Sequence, residues 1–285
     1  MRFRYILFSV NKMKMFNCHT HTMFSHDGKG SLDELCIKAL ENNLSGFAVT
    51  DHCDCEYEDD NLMLDNLAAS FTEAEKYQTL YRDRLIISKG IEIGEAIINP
   101  VFAEKIIAAK SFDVILGSVH AVRIENFDMP FSVIDFSELS DDFIDKYLTQ
   151  YFQDLLETAR ESDYDILCHL TVPLRYIVYK YKKEVDIKKY FPAIEEILKT
   201  VIARDKVLEV NTSGINDGYF MPDINILQIY KRFGGRRIAL GSDAHNPSDI
   251  SKGMTQAAEM LIKLGFTELT YFVERKPVTY KIQPA

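Results

Sequence analysis

Seven short apolar runs of strand character alternate with seven helical patterns along this chain, and nearly every run ends in a group able to bind a metal. The runs end at His19, Thr50, Glu92, His120, His169, Asn211 and Asp243, and the helical patterns span 32–43, 61–82, 100–110, 141–162, 190–204, 223–233 and 248–264. Successive βα units predict a parallel barrel or a doubly wound sheet. A doubly wound sheet gathers its site at one switch point. A barrel turns the C-terminal end of every strand to a single mouth. Metal-binding groups spread over so many strand ends therefore predict an α/β fold of the second kind: a distorted, TIM-like (β/α)7 barrel with its site at the C-terminal ends of the strands. Ser31-Leu32-Asp33-Glu34 reads as a capping box opening the first helix, and Pro100 suits a first helical turn. The tail, 267–282, is expected to add an edge strand or to cover the outside.

With 285 residues, 47% of them hydrophobic, the chain has material for one large core, and no linker or repeat divides it. We read 15–285 as one barrel domain and 1–14 as an N-terminal extension without structure of its own. The apolar run inside that extension is short for a secretory core, and no stretch approaches the ~20 apolar residues of a membrane span. A cytoplasmic location without a membrane partner follows as an expectation. An odd count of five cysteines fits a reducing compartment better than a disulfide framework. By strand alternation Cys18 and Cys168 are expected to face the helix layer, while Cys53 and Cys55 follow His52 in a loop. A net charge of −10 argues against nucleic acid as a partner. It leaves open a small phosphorylated substrate, because bound metals supply local positive charge.

Six of the seven histidines sit in five short motifs: His19 and His21 in CHTHT, His52 in VTDH, His120 in LGSVH, His169 in ILCHL and His245 in LGSDAH. Residues spaced i, i+2 on a strand share a face, so His19 and His21 can offer two imidazoles to one ion, and Asp243 with His245 repeats the spacing. Glu92 could bridge two ions through its two oxygens. Carboxylate and imidazole together suit zinc, manganese or iron. One histidine at one strand end is usually a satisfied polar group; the inference rests on many of them agreeing. Asp27, followed by Gly28 and Lys29, reads locally as a turn, and His26 beside it as a substrate contact or an exposed loop residue.

The blocks CHTHTMFSHDG, AVTDH, the Glu of GIEIG, GSVH, CHL and LGSDAH resemble, in order, the signatures of the polymerase and histidinol phosphatase (PHP) family, over about residues 15–265. The resemblance implies a barrel holding two to three divalent ions (Zn, Mn or Fe). It implies His19, His21, Glu92 and Asp243 on the first, Glu92, His120 and His169 on the second, and Asp27, His52 and His245 on the third. Many relatives carry Asp two residues before the first histidine; here it is Asn17, a departure that bears on a contact behind the ligands. Within the family, GSVHAV, LEVNTSG and IALGSDAHNPSDI are most similar to bacterial histidinol-phosphate phosphatases. The implied reaction is hydrolysis of L-histidinol phosphate to L-histidinol and phosphate, in histidine biosynthesis, by a metal-activated hydroxide attacking phosphorus.

Three residues are assigned to catalysis on this reading: Glu92, Asp243 and Arg175. Arg175, in TVPLRY, is the preferred bidentate clamp on the phosphate, with Arg123 and His26 as further substrate contacts. Asp243 or a metal-bound water would protonate the leaving alkoxide. Arg160 and Arg204 read as surface residues. Glu209, Asn211 and Ser213 either shape the pocket or belong to a core strand and its turn. Glu56, Glu58 and Asp59 either wall the substrate's ammonium or form a solvated loop. Competing readings are a phosphodiesterase or exonuclease of the same family, a metal-dependent amidohydrolase, and a metal-stabilised scaffold without turnover. Oligomeric state is left open.

Overall fold

The computed structural model describes residues 14–57, 60–125 and 129–282. The extension read at 1–14 lies outside them except for Lys14, as do Glu58 and Asp59.

Eight strands form one parallel sheet: β1 (Phe16–Asn17), β2 (Gly46–Val49), β3 (His52–Asp54), β4 (Ile86–Gly94), β5 (Val114–Ser118), β6 (Ile166–Leu167), β7 (Val207–Asn211) and β8 (Ile238–Gly241). The order is β1-β2-β4-β5-β6-β7-β8, with β3 pairing the far half of β4. Strands β2 and β3 are thus one barrel position interrupted at Thr50-Asp51. The sheet closes on itself: the Cys18 N–H donates to the Leu240 carbonyl at 2.8 Å, Asp243 to His19 at 2.9 Å, and His21 to Ala244 at 2.9 Å. The result is the expected seven-position barrel. Strands β2, β5, β7 and β8 are buried along their whole length, as parallel strands packed on both faces must be.

Among the described residues seven α-helices accompany them: α1 (Leu32–Glu41), α2 (Asn61–Leu80), α3 (Pro100–Ala109), α4 (Asp141–Glu161), α5 (Phe191–Ala203), α6 (Ile224–Arg232) and α7 (Met254–Lys263). The capping box at Ser31 is complete, since the Glu34 N–H donates to Ser31 Oγ and the Ser31 N–H donates to Glu34 Oε2 at 2.9 Å. The last helix starts later than the pattern 248–264 suggested. Asn246 caps a 3₁₀ turn at Pro247–Asp249, and Gly253 sits at φ +70°, outside helical geometry, so α7 starts only at Met254. No helix among the described residues is long and apolar enough to cross a membrane.

Of the two expectations for the tail, the covering one holds, since it does not join the barrel sheet as an edge strand. Strands β9 (Glu268–Val273) and β10 (Lys276–Lys281) pair with each other and cover the barrel's N-terminal end. There the Phe16 N–H donates to the Tyr280 hydroxyl at 3.0 Å, and Ser88 Oγ donates to the Phe272 carbonyl at 3.1 Å. The hairpin turn carries Arg275, whose guanidinium reaches Asp163 at 2.7 and 2.8 Å and Asp165 at 2.9 and 3.0 Å. Asp163 is half exposed and contributes little. Asp165 is buried and also accepts from the Ile115 N–H, so removing its cation leaves a poorly compensated charge. Arg275→Gln is expected to cost about 2 kcal/mol, lowering the melting temperature by about 4–8 °C with unchanged kinetics. A thermal melt with an activity assay checks both, and an unchanged melt would show that the clasp does not hold the tail.

Candidate metal centre

The strand ends at the opposite, C-terminal mouth leave regular geometry where the motifs begin. His169 has φ +23° and Asp243 φ +52°, a left-handed region that costs a non-glycine residue about 1–3 kcal/mol and persists only where surroundings enforce it. The left-handed turn at His169 also breaks the alternation by which Cys168 was placed toward the helices. Its thiol instead points inward, within 4.8 Å of donor atoms of His19 and Glu92. Cys18 likewise faces the tail hairpin rather than a helix, with Sγ 3.5 Å from the Thr270 carbonyl.

Glu92 is fully buried at the centre of the mouth. Its Oε2 lies 3.3 Å from His19 Nε2, 3.6 Å from His21 Nε2 and 3.0 Å from His52 Nδ1. Its Oε1 lies 2.8 Å from His169 Nε2 and 3.2 Å from His120 Nε2. Asp243 Oδ1 completes the first group, 3.3 Å from His21 Nε2 and 3.7 Å from His19 Nε2. Toward solvent, Asp27 reaches His245 Nε2 at 3.1 Å and His52 Nε2 at 3.7 Å. All nine residues singled out as candidate ligands are thus brought together.

Two donors each about 2.1 Å from one ion stand roughly 3.0–3.5 Å apart, close to the spacings here. The two Nε2 atoms of His19 and His21 are 3.0 Å apart, and His52 Nδ1 and His245 Nε2, although 3.0 and 3.1 Å from carboxylate oxygens of Glu92 and Asp27, are buried without a well-directed hydrogen bond. A donor set of imidazoles and carboxylates left facing itself in this way fits divalent cations. The charges agree. Burial opposes ionisation of Glu92, but the imidazoles of His19, His120 and His52 outweigh it and hold the carboxyl well below its usual range. Burial likewise opposes ionisation of Asp243, and His19, His21 and His245 overcome it. Burial, with His245 and His52 beside it, pushes His21 well below the ordinary imidazole value, toward the neutral form a ligand needs, whereas at His19 and His120 burial is outweighed by the surrounding carboxylates, which push those two rings above it.

Behind these groups lies a set of carboxylates that sequence reasoning passed over. Asp54 Oδ1 sits 3.0 Å from His120 Nδ1. Asp51 accepts from the Thr22 N–H and from the hydroxyls of Thr22, Ser25 and Ser70 at 2.5–2.8 Å; Ser25 Oγ in turn is 3.0 Å from His21 Nδ1. Glu95 accepts from the backbone N–H groups of His120 and Ala121. The available signal was their placement beside His52 and Glu92 in TDHCD and EIGE. Asn17 donates to Ser242 Oγ and the Ile250 carbonyl and accepts from the N–H groups of His19 and Ser242. An aspartate could not make the two donations, so asparagine suits a seam between β1 and β8.

The substrate-facing candidates divide. Arg175 opens a six-residue π-helical turn and reaches Asp243 Oδ2 at 3.4 Å and Ser213 Oγ, at the edge of the cluster. Ser213 leads through Asn211 to Glu209, so the two β7 candidates and Ser213 just beyond the strand connect to the centre. His26 is exposed at the rim, its ring 5.2 Å from that of His52. Arg123 is not brought in: its guanidinium is taken by Asp154 at 2.7–2.8 Å and by Glu157 of α4. Arg160 is exposed beside Glu196, and Arg204 donates to the Ala159 carbonyl. Of the two readings of Glu56, the solvated loop carboxylate does not hold: both its oxygens are shielded, it packs against Glu95, and burial pushes its carboxyl up.

The PHP domain family model matches residues 17–213. A protein of Thermotoga maritima named "Probable histidinol-phosphatase" is 30% identical over 272 residues, covering 94% of this chain and 100% of that one. One of the same name from Clostridium acetobutylicum is 30% identical over 251 residues, covering 86% and 92%. Among solved structures, the histidinol phosphate phosphatase of Lactococcus lactis, complexed with zinc, L-histidinol and phosphate, superposes with a TM-score of 0.76 at 24% identity, covering 94% of this chain and 100% of that one.

Proposed function

Because the chain belongs to the PHP domain family, we propose that it is a metal-dependent phosphate monoester hydrolase whose substrate is L-histidinol phosphate. The observation that carries the reading is Glu92, whose two oxygens address two separate groups of imidazoles. His19, His21, Glu92 and Asp243 would hold one divalent ion and Glu92, His120 and His169 a second; Asp27, His52 and His245 would hold a third where it is present, with zinc, manganese and iron the candidates. Such ions supply a nucleophile at neutral pH and stabilise charge on the phosphoryl group.

The protein's own groups do the rest. Arg175, at the edge of the cluster, clamps two phosphoryl oxygens through its planar fork. Asp243 is held as an anion by the imidazoles around it and orients Arg175 through Oδ2, and Asp243 or a water held with the ions passes the proton to the leaving alkoxide. The names of the relatives, and the L-histidinol and phosphate bound by the Lactococcus lactis protein, support the substrate.

The test is phosphate release from L-histidinol phosphate with added manganese or zinc, run beside an aryl phosphate and a dinucleotide diester. Strong preference for histidinol phosphate, lost on chelation, is the expected result. Preference for the diester would move the assignment to a phosphodiesterase, and inactivity on all three would overturn the enzyme class.

A further inference from the structure

Glu209, on β7, has no exposed surface and carries none of the candidate ligand atoms. Its Oε1 lies 2.7 Å from His19 Nδ1. Its Oε2 accepts from the backbone N–H of His169 at 2.6 Å and from Asn211 Nδ2 at 3.3 Å. One carboxylate therefore touches a ring of the first candidate ion group and the backbone of a residue in the second. Asp54 meets the His120 ring, and Ser25 meets the His21 ring and the His52 backbone N–H; of these three, Glu209 is the one that joins the two groups sharing Glu92.

Two consequences follow from hydrogen-bond chemistry. An anion beside Nδ1 keeps the proton on that nitrogen, leaving the lone pair on Nε2. For His19 that is the nitrogen facing Glu92, His21 and Asp243. At His169 the N–H held by Oε2 belongs to a residue at φ +23°, so the bond helps pin a turn the chain would otherwise leave. The close approach also requires Gly241 on β8, where a Cβ would fall 2.0 Å from Glu209 Oε1 and 2.6 Å from the His19 Cβ.

We propose that Glu209 is the positioning residue of the metal centre, selecting the metal-binding tautomer of His19 and holding the His169 turn, so that the two ion positions sharing Glu92 keep their spacing. The proposal rests on the metal-centre reading above. A carboxylate offers two acceptor oxygens, whereas an amide offers one acceptor and one donor. Glu209→Gln keeps the volume but cannot accept from both His19 Nδ1–H and the His169 N–H.

The experiment titrates metal-free wild type, Glu209→Gln and Glu209→Asp with zinc or manganese against a competing chelator, and follows unfolding of each metal-free protein. Glu209→Gln is expected to bind metal about 10–100-fold more weakly with its unfolding still cooperative. Glu209→Asp, which keeps the charge on a shorter arm, is expected to recover part of that loss. At saturating metal the glutamine variant should show a lower kcat with little change in KM. Wild-type metal affinity in Glu209→Gln would overturn the proposal, as would equal losses in both variants that track loss of cooperative unfolding. The affinity ratio involves no substrate, so a wild type that binds metal but ignores histidinol phosphate would sink only the substrate assignment. A wild type that binds no metal would sink the metal centre itself.

Discussion

Glu92→Gln is expected to lose more than ~100-fold in turnover, beyond what removal of an outer partner of a metal site costs, while the protein still unfolds in one cooperative transition. The substitution conserves volume inside a packed barrel, so the core is not disturbed. What changes is the pattern of acceptors. Oε1 and Oε2 each face imidazole nitrogens of a different group, and an amide must turn its N–H₂ toward one of them. One ion position then loses an oxygen and gains a donor, and both lose the negative charge they share. Phosphate release measured together with metal content checks this. Near-normal turnover at full metal content would remove Glu92 from its bridging role.

Arg175→Ala is expected to lower kcat/KM by about 10²–10³-fold, the range for deleting one donor aimed at developing charge, without altering metal content. The guanidinium already stands beside Asp243 and Ser213 at the edge of the cluster, where an oxyanion of the substrate would enter. Arg175→Lys should fall between the two, because an ammonium keeps the charge but not the bidentate fork. Steady-state kinetics on the monoester distinguish the roles. Unchanged constants in Arg175→Ala would leave this arginine as a structural partner of Asp243 alone.

Much of this could be read before any coordinates. Strand-like runs ending in His19, Glu92, His120, His169 and Asp243 were enough to expect a barrel, since a parallel closed sheet carries all those ends to one mouth. The same logic covered His52 and His245, whereas Asp27, a turn residue by local reading, entered the set only through the family resemblance. Reading failed where it extended strand alternation past the end of the strand. β6 stops at Leu167, and with His169 at positive φ the rule that turned Cys168 outward no longer applied. It failed again at Arg123, whose position after a ligand-bearing strand resembled that of Arg175 but whose neighbours on α4 are acidic.

The sequence by itself determined the periodicity, and with it the barrel, the helices and the residue types gathered at its mouth, because these depend on local propensity and on the direction of parallel strands. The tertiary structure decided the partners. Arg123 meets Asp154 across 31 residues, Arg275 meets Asp165 across 110, and Glu209 meets His19 across 190. Such contacts depend on the register in which the sheet closes and on turns at positive φ, both set by packing of the whole barrel and neither encoded in any short stretch of chain.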